Sequence, residues 1–168
     1  ALFWYLACAE NRFRSRVGRS FILNFETRNP ATGELIEQFD FLTDDQLEQR
    51  LESASQAAEA WGCTSFAERS KLLHALGNLV TERRQELAEV ISLEMGKLLP
   101  EALGEVDKCV LACGFYADNA EGMLQDDLIE TPARRSLVTY EPLGLVFAIM
   151  PWNFPLWQVF RCMVPALM

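Results

Sequence analysis

Residues 151–155 read Pro-Trp-Asn-Phe-Pro, which sets one carboxamide, Asn153, between two aromatic rings and two pyrrolidine rings. Each proline fixes its own φ, so the bend is stiff. An Asn in such a bend serves turn geometry, or it offers a neutral N–H donor. Phe154, Trp157, Gln158 and Arg161 then fall at i, i+3, i+4 and i+7, which is one face of a helix. An apolar face broken by a single guanidinium can bind a carboxylate through paired N–H groups. The competing use of Arg161 is an ion pair with a carboxylate of the protein itself. Cys109 and Cys113 sit four apart, but His74 is the only histidine in the chain. A metal site would need more ligands nearby, so the two thiols are expected on a buried helix face. Glu94 and Lys97 are of catalytic types. Gly96 between them reads instead as a helix stop, with a favourable cation beside it.

These groups need a scaffold, and composition bounds it. The chain has 168 residues, with 15 basic and 24 acidic side chains, one His, a formal charge of −9 and half its residues apolar. That is a globular composition, long enough for a sizeable core. The acid excess argues against nucleic acid as a partner, because phosphates need clustered Lys and Arg. No apolar run reaches the roughly 18 residues that span a bilayer. Residues 1–20 stand apart: ALFWYLACA comes first, followed by four Arg against one Glu. A secretory signal has the reverse order, basic before apolar. This segment is expected to be a disordered or loosely helical extension outside the fold. Five cysteines, an odd number, suit reduced thiols in the cytoplasm.

Residues 21–28 and 34–41 suit two strands joined by the turn Asn29-Pro-Ala-Thr-Gly33. Thr43 with Gln46 forms a capping box, and Leu47, Leu51, Ala54, Ala58 and Trp61 give one helical stripe that Gly62 can end. Ser65 caps a second helix with its stripe at Leu72, Leu73, Leu76, Leu79 and Val80. A third carries Leu87, Val90, Ile91 and Met95 and stops at Gly96. Pro100 fits the first turn of a fourth, whose stripe is Ala102, Val106, Cys109, Val110, Cys113, Ala117 and Ala120. Residues 137–140 are β-prone. Residues 143–150, Leu-Gly-Leu-Val-Phe-Ala-Ile-Met, form a nearly continuous apolar run that suits a strand buried on both faces of a parallel sheet. After the bend, Leu156, Val159, Phe160, Met163 and Val164 indicate a last helix. A lone buried strand cannot satisfy its backbone, so the order reads as the front part of a longer α/β fold.

The run from Ala148 to Gln158 resembles the aldehyde dehydrogenase superfamily, which carries Pro-Trp-Asn-Phe-Pro at the end of the first strand of its nucleotide-binding domain. Three more segments resemble the family in its order: Asn29-Pro-Ala-Thr-Gly-Glu34, Glu94-Met-Gly-Lys97 and Tyr140-Glu-Pro-Leu-Gly144. The likeness covers about residues 25–168. It implies an α/β fold: the N-terminal hairpin, helical stretch, first strand and helix of a Rossmann-like nucleotide-binding domain, incomplete here. Residues 21–168 would be the N-terminal portion of that domain, with 134–142 a strand of the oligomerisation sheet of a homodimer or homotetramer.

The resemblance also implies oxidation of an aldehyde to an acid with NAD or NADP, through attack of a cysteine thiolate and water-driven release. Asn153 matches the family's oxyanion-hole asparagine, a donor whose loss typically costs about 10²–10³ in rate. Ile149, Met150, Pro151 and Trp152 match positions lining the cofactor site, as expected at the carboxyl end of a strand. Phe154, Trp157 and Arg161, on the helix face beside Asn153, are the candidate substrate residues. Members acting on succinate semialdehyde carry an arginine eight residues after the asparagine, as here, so succinate semialdehyde is the expected substrate. The family's nucleophile and general base lie well beyond residue 168, so Cys162 is not read as the nucleophile and the isolated chain is expected to be inactive. The alternatives are another aldehyde branch of the family and a non-catalytic helical module that docks a partner.

Overall fold

The structure, a computed structural model, describes residues 25–168. The expected extension over 1–20, and the start of the first expected strand, lie outside the described residues. The element order is β1 (Phe25–Arg28), β2 (Leu35–Phe39), α1 (Asp44–Gly62), α2 (Phe66–Glu82), α3 (Arg84–Met95), α4 (Leu99–Met123), β3 (Asp127–Leu128), β4 (Leu137–Val138) and α5 (Pro155–Leu167).

The antiparallel hairpin β1–β2 closes on the predicted turn. Asn29 Oδ1 accepts from the Ala31 N–H at 2.8 Å, and Gly33 takes φ +75°, where a Cβ would be strained. Thr43 and Gln46 form the predicted capping box of α1, and Ser65 with Glu68 forms a second on α2. Gly96, at φ +70°, ends α3 in the left-handed conformation expected of it.

Helix α4 is the hub, packed by α2, α3 and α5. Its buried face is Ala102, Glu105, Val106, Cys109, Ala112, Cys113, Ala117 and Ala120. Every residue of the expected stripe lies on that face or at its margin. Small residues let neighbours come close: a Cβ added at Gly77 of α2 would sit 3.3 Å from Cys113 Cβ. Leu73 and Val80 of α2, Ala88 and Ile91 of α3, and Leu156, Phe160 and Val164 of α5 complete the core. Each fully buried large side chain contributes roughly 1.5–3 kcal/mol. Helix α1 buries no residue, and Leu51 of its stripe is exposed, as are Leu72 and Leu79 of α2. Those positions were expected to be covered. No described element lies over them, so the helices form from local capping and periodicity while the faces stay open.

The largest departure concerns residues 143–150. The expected buried strand is not a strand, and its side chains are largely open, with Leu143 94% and Ile149 70% exposed. An apolar run supplies the appetite for burial, but a strand also needs neighbours to complete its ladder, and no described strand lies beside it. Residues 137–140 pair only through Leu137–Val138, with Asp127–Leu128, a short strand that the sequence did not signal.

Candidate functional site

Helix α5 begins at Pro155, directly after the bend. Proline has no N–H to leave unpaired, and Gln158 N already bonds Phe154 O at 2.9 Å. Two N–H groups of the first turn, on Leu156 and Trp157, remain without an intrahelical acceptor. Both donate to Oε1 of Glu105, at 2.9 and 3.0 Å. The other oxygen of Glu105 accepts from Lys97 Nζ. The pair is buried, with side-chain exposure of 7% for Lys97 and 1% for Glu105. Lys97 also donates to the main-chain oxygen of Asn153 at 3.3 Å, and its ammonium lies 3.8 Å from the centre of the Phe154 ring.

At its far end α5 is held again. Trp61 Nε1 donates to Leu167 O at 2.7 Å, and Arg69 Nη1 to Met168 O at 2.8 Å. The helix is thereby fixed in direction, with Leu156, Phe160 and Val164 inward.

Asn153 is therefore fastened by its main chain, while its side-chain amide is exposed and makes no hydrogen bond to another described residue. Trp157 is half-buried under the Lys108 ammonium, which lies 4.2 Å from the ring centre. Arg161, one turn further on, is exposed and has no ion pair or hydrogen bond among the described residues, so the structure shows no protein carboxylate holding it. Phe154, Trp157, Gln158 and Arg161 all lie off the buried stripe of α5, as the spacing predicted.

The segment leading into the bend is extended and open. Ile149, Pro151 and Trp152 are exposed and Met150 is half-buried, and the main-chain N–H groups of Ile149, Met150 and Trp152 donate to no other described residue. Free amide groups flanked by Ile149 and Trp152 suit a flat, carboxamide-bearing ring, so these residues fit one edge of a nicotinamide cofactor. Behind the bend lies a mostly apolar cavity of about 230 Å³, bounded by Pro30, Val90, Met95, Trp152 and Leu156.

No described thiol reaches the bend as a nucleophile. Cys162 is seven residues into α5, about 10 Å along the axis from its start. Cys109 and Cys113 are buried on α4, as expected; burial, with Glu105 nearby, pushes the Cys109 thiol well above the usual range, and burial also raises Cys113. Among the described residues no group of three or more His, Cys, Asp or Glu is placed to hold a metal, and no helix is long and apolar enough to cross a membrane.

Sequence reasoning placed Lys97 as a cation beside the end of α3 and overlooked Glu105. The helix stop is there, but the ammonium turns toward α4 and the bend rather than the α3 carbonyls. The available signal was a single acid inside an apolar stripe, between Ala102 and Cys109. Its partners, 51 and 52 residues later, could not be read from spacing.

The aldehyde dehydrogenase family model matches residues 19–168. A probable succinate-semialdehyde dehydrogenase [NADP(+)] of Synechocystis sp. is 43% identical over 142 residues, which is 84% of this chain and 31% of the relative. Succinate-semialdehyde dehydrogenase [NADP(+)] 1 of Mycobacterium bovis is 40% identical over 145 residues, covering 84% of this chain and 32% of that protein. The crystal structure of succinic semialdehyde dehydrogenase from Streptococcus pyogenes with NADP+ superposes with a TM-score of 0.81 at 34% identity, over 84% of this chain and 31% of that one. The chain thus spans about a third of the length of these relatives. It shares their fold over the described part, five helices and two small sheets, and it belongs to the aldehyde dehydrogenase family.

Proposed function

We propose that this chain carries the oxyanion donor and the substrate-carboxylate arginine of an NADP-dependent succinate-semialdehyde dehydrogenase. The observation that carries the reading is the state of Asn153: main chain fastened to Lys97, side-chain amide unpartnered and open. When a nucleophile adds to an aldehyde, the carbonyl oxygen gains negative charge. A neutral N–H donor already in place meets that charge without reorganising. Residues 149–152 would hold the cofactor, whose chemistry is to accept hydride from the adduct. Trp157 gives the substrate chain an apolar wall. Arg161 has donors to spare for a carboxylate, and its planar fork suits two parallel hydrogen bonds.

The choice of succinate semialdehyde and of NADP over NAD draws on the names of the relatives, together with the free guanidinium of Arg161. The four free cysteines of the described part suit the cytoplasm. Residues 134–142, already pairing with β3 through Leu137–Val138, would extend a sheet between subunits of a homodimer or homotetramer. The nucleophile and general base are proposed to lie beyond residue 168 of the full-length enzyme, so this chain alone should not turn over.

Substrate discrimination tests the reading. In a full-length enzyme containing this segment, Arg161→Ala should raise KM for succinate semialdehyde by about 10- to 100-fold, since hydrogen bonds to charged groups are worth about 1.5–3 kcal/mol. KM for butanal, which has no carboxylate, should barely change. Equal losses on both substrates would remove the carboxylate assignment.

A further inference from the structure

We propose that Lys97 and Glu105 are positioning residues, a buried ionic brace that aims the Asn153 amide and sets the direction of α5. The inference rests on the reading of Asn153 given above. Its ground is which atoms the pair grips. Glu105 Oε1 takes the N–H groups of Leu156 and Trp157, and Lys97 Nζ takes the main-chain oxygen of Asn153. All three contacts are to backbone, so the Asn153 amide is left free for a ligand while its position is fixed, and Trp157 is placed without use of its ring. Phe154 at the start of α5 makes no side-chain cap of its own, which leaves Glu105 as the acceptor for that first turn.

The brace also joins three elements at one point. Lys97 follows the left-handed Gly96 that ends α3, Glu105 stands on α4, and the bend with α5 closes on both. A carboxylate at a helix N-terminus is favoured by the helix dipole, and here its second oxygen is neutralised by the ammonium. Burying two charges is costly unless every lone pair and proton is used. Lys97 spends its contacts on Glu105, Asn153 O and the Phe154 ring, all within or against the candidate site. The other Arg or Lys to carboxylate pair of α4, Arg84 with Asp107, is exposed and touches no residue of the bend, so it serves as a control.

Two measurements test the brace. In the 168-residue chain, Glu105→Gln should speed hydrogen exchange at the Leu156 and Trp157 amides by about 10-fold or more, with the amides of α2 unchanged. In a full-length enzyme containing this segment, the double variant Lys97→Met/Glu105→Gln removes both charges together and so avoids an orphaned buried ion. Its kcat on butanal should fall by about 10- to 100-fold, with KM for butanal within about 2-fold. The single variant Lys97→Arg, which keeps a cation beside Glu105, should retain most of the wild-type rate, and Asp107→Asn should leave it unchanged. A pair that only stabilised the fold would lower the melting temperature and leave kcat per folded enzyme intact; that result would overturn the proposal. Should Asn153→Ala itself leave kcat unchanged, the reading of the site fails first. If Asn153→Ala slows the enzyme and the double variant does not, only the brace fails.

Discussion

Replacing Gly96 by Ala tests how the hairpin, α3 and the site are joined. Gly96 has φ +70° and ψ 16°, a conformation in which an L side chain costs roughly 1–2 kcal/mol. An added Cβ would also lie 3.0 Å from Cγ of Pro30, in the hairpin turn. A proline ring cannot swing aside as a flexible side chain does, so the hairpin or the α3 end must shift, and overpacking of this kind costs about 1–3 kcal/mol. Alanine also stiffens the unfolded chain, which offsets about 0.4–1 kcal/mol. The net expectation is a loss of about 2–4 kcal/mol. Gly33→Ala is the matched comparison, because Gly33 has φ +75° with nothing within 4 Å of the new Cβ. It should cost only about 1 kcal/mol. Urea unfolding of the 168-residue chain, followed by far-UV circular dichroism, measures both. Pro30→Ala should recover about 1 kcal/mol or more of the Gly96→Ala loss in a double-mutant cycle and nothing of the Gly33→Ala loss. Equal losses at the two glycines, or no coupling to Pro30, would refute the packing argument.

The core makes its own demands: Val106→Ala, at a fully buried position of α4, should cost about 2–3 kcal/mol of unfolding free energy by the same urea assay. Native protein treated with iodoacetamide should be labelled at exposed Cys63, whereas Cys109 and Cys113 should react only after unfolding, as peptide mass spectrometry would show. The Arg84 guanidinium hydrogen-bonds Asp107 at 2.7 Å and holds its carboxyl below the usual aspartate value. That pair therefore adds stability above the ordinary carboxylate range and loses it as pH falls through the folded-state value. Both side chains are substantially exposed, so the effect is small. Asp107→Asn should flatten that acid limb of the stability–pH curve and leave the neutral plateau within about 1 kcal/mol.

What could be read from the sequence was local. The turn at Asn29–Gly33 and the cap at Thr43–Gln46 depend on residues a few positions apart, and each formed as expected. The α4 stripe was legible because seven apolar residues recur at helical spacing, and the hub helix must bury them. The bend at 151–155 was legible from two prolines and from its likeness to a family motif. What was not legible was long-range. Residues 143–150 have the composition of a buried strand, but pairing is decided by neighbours, not by the run itself. Glu105 looked like an ordinary helix acid until α5 arrived half a hundred residues later to use it. Asp127–Leu128 was too short and too polar to announce a strand.

The chemistry proposed for the bend depends most on Asn153. In a full-length enzyme containing this segment, the pre-steady-state rate of NADPH formation should fall by about 10²–10³-fold in Asn153→Ala, the typical consequence of removing one oxyanion donor. An unchanged rate of hydride transfer, with the variant folded and still binding cofactor, would contradict it.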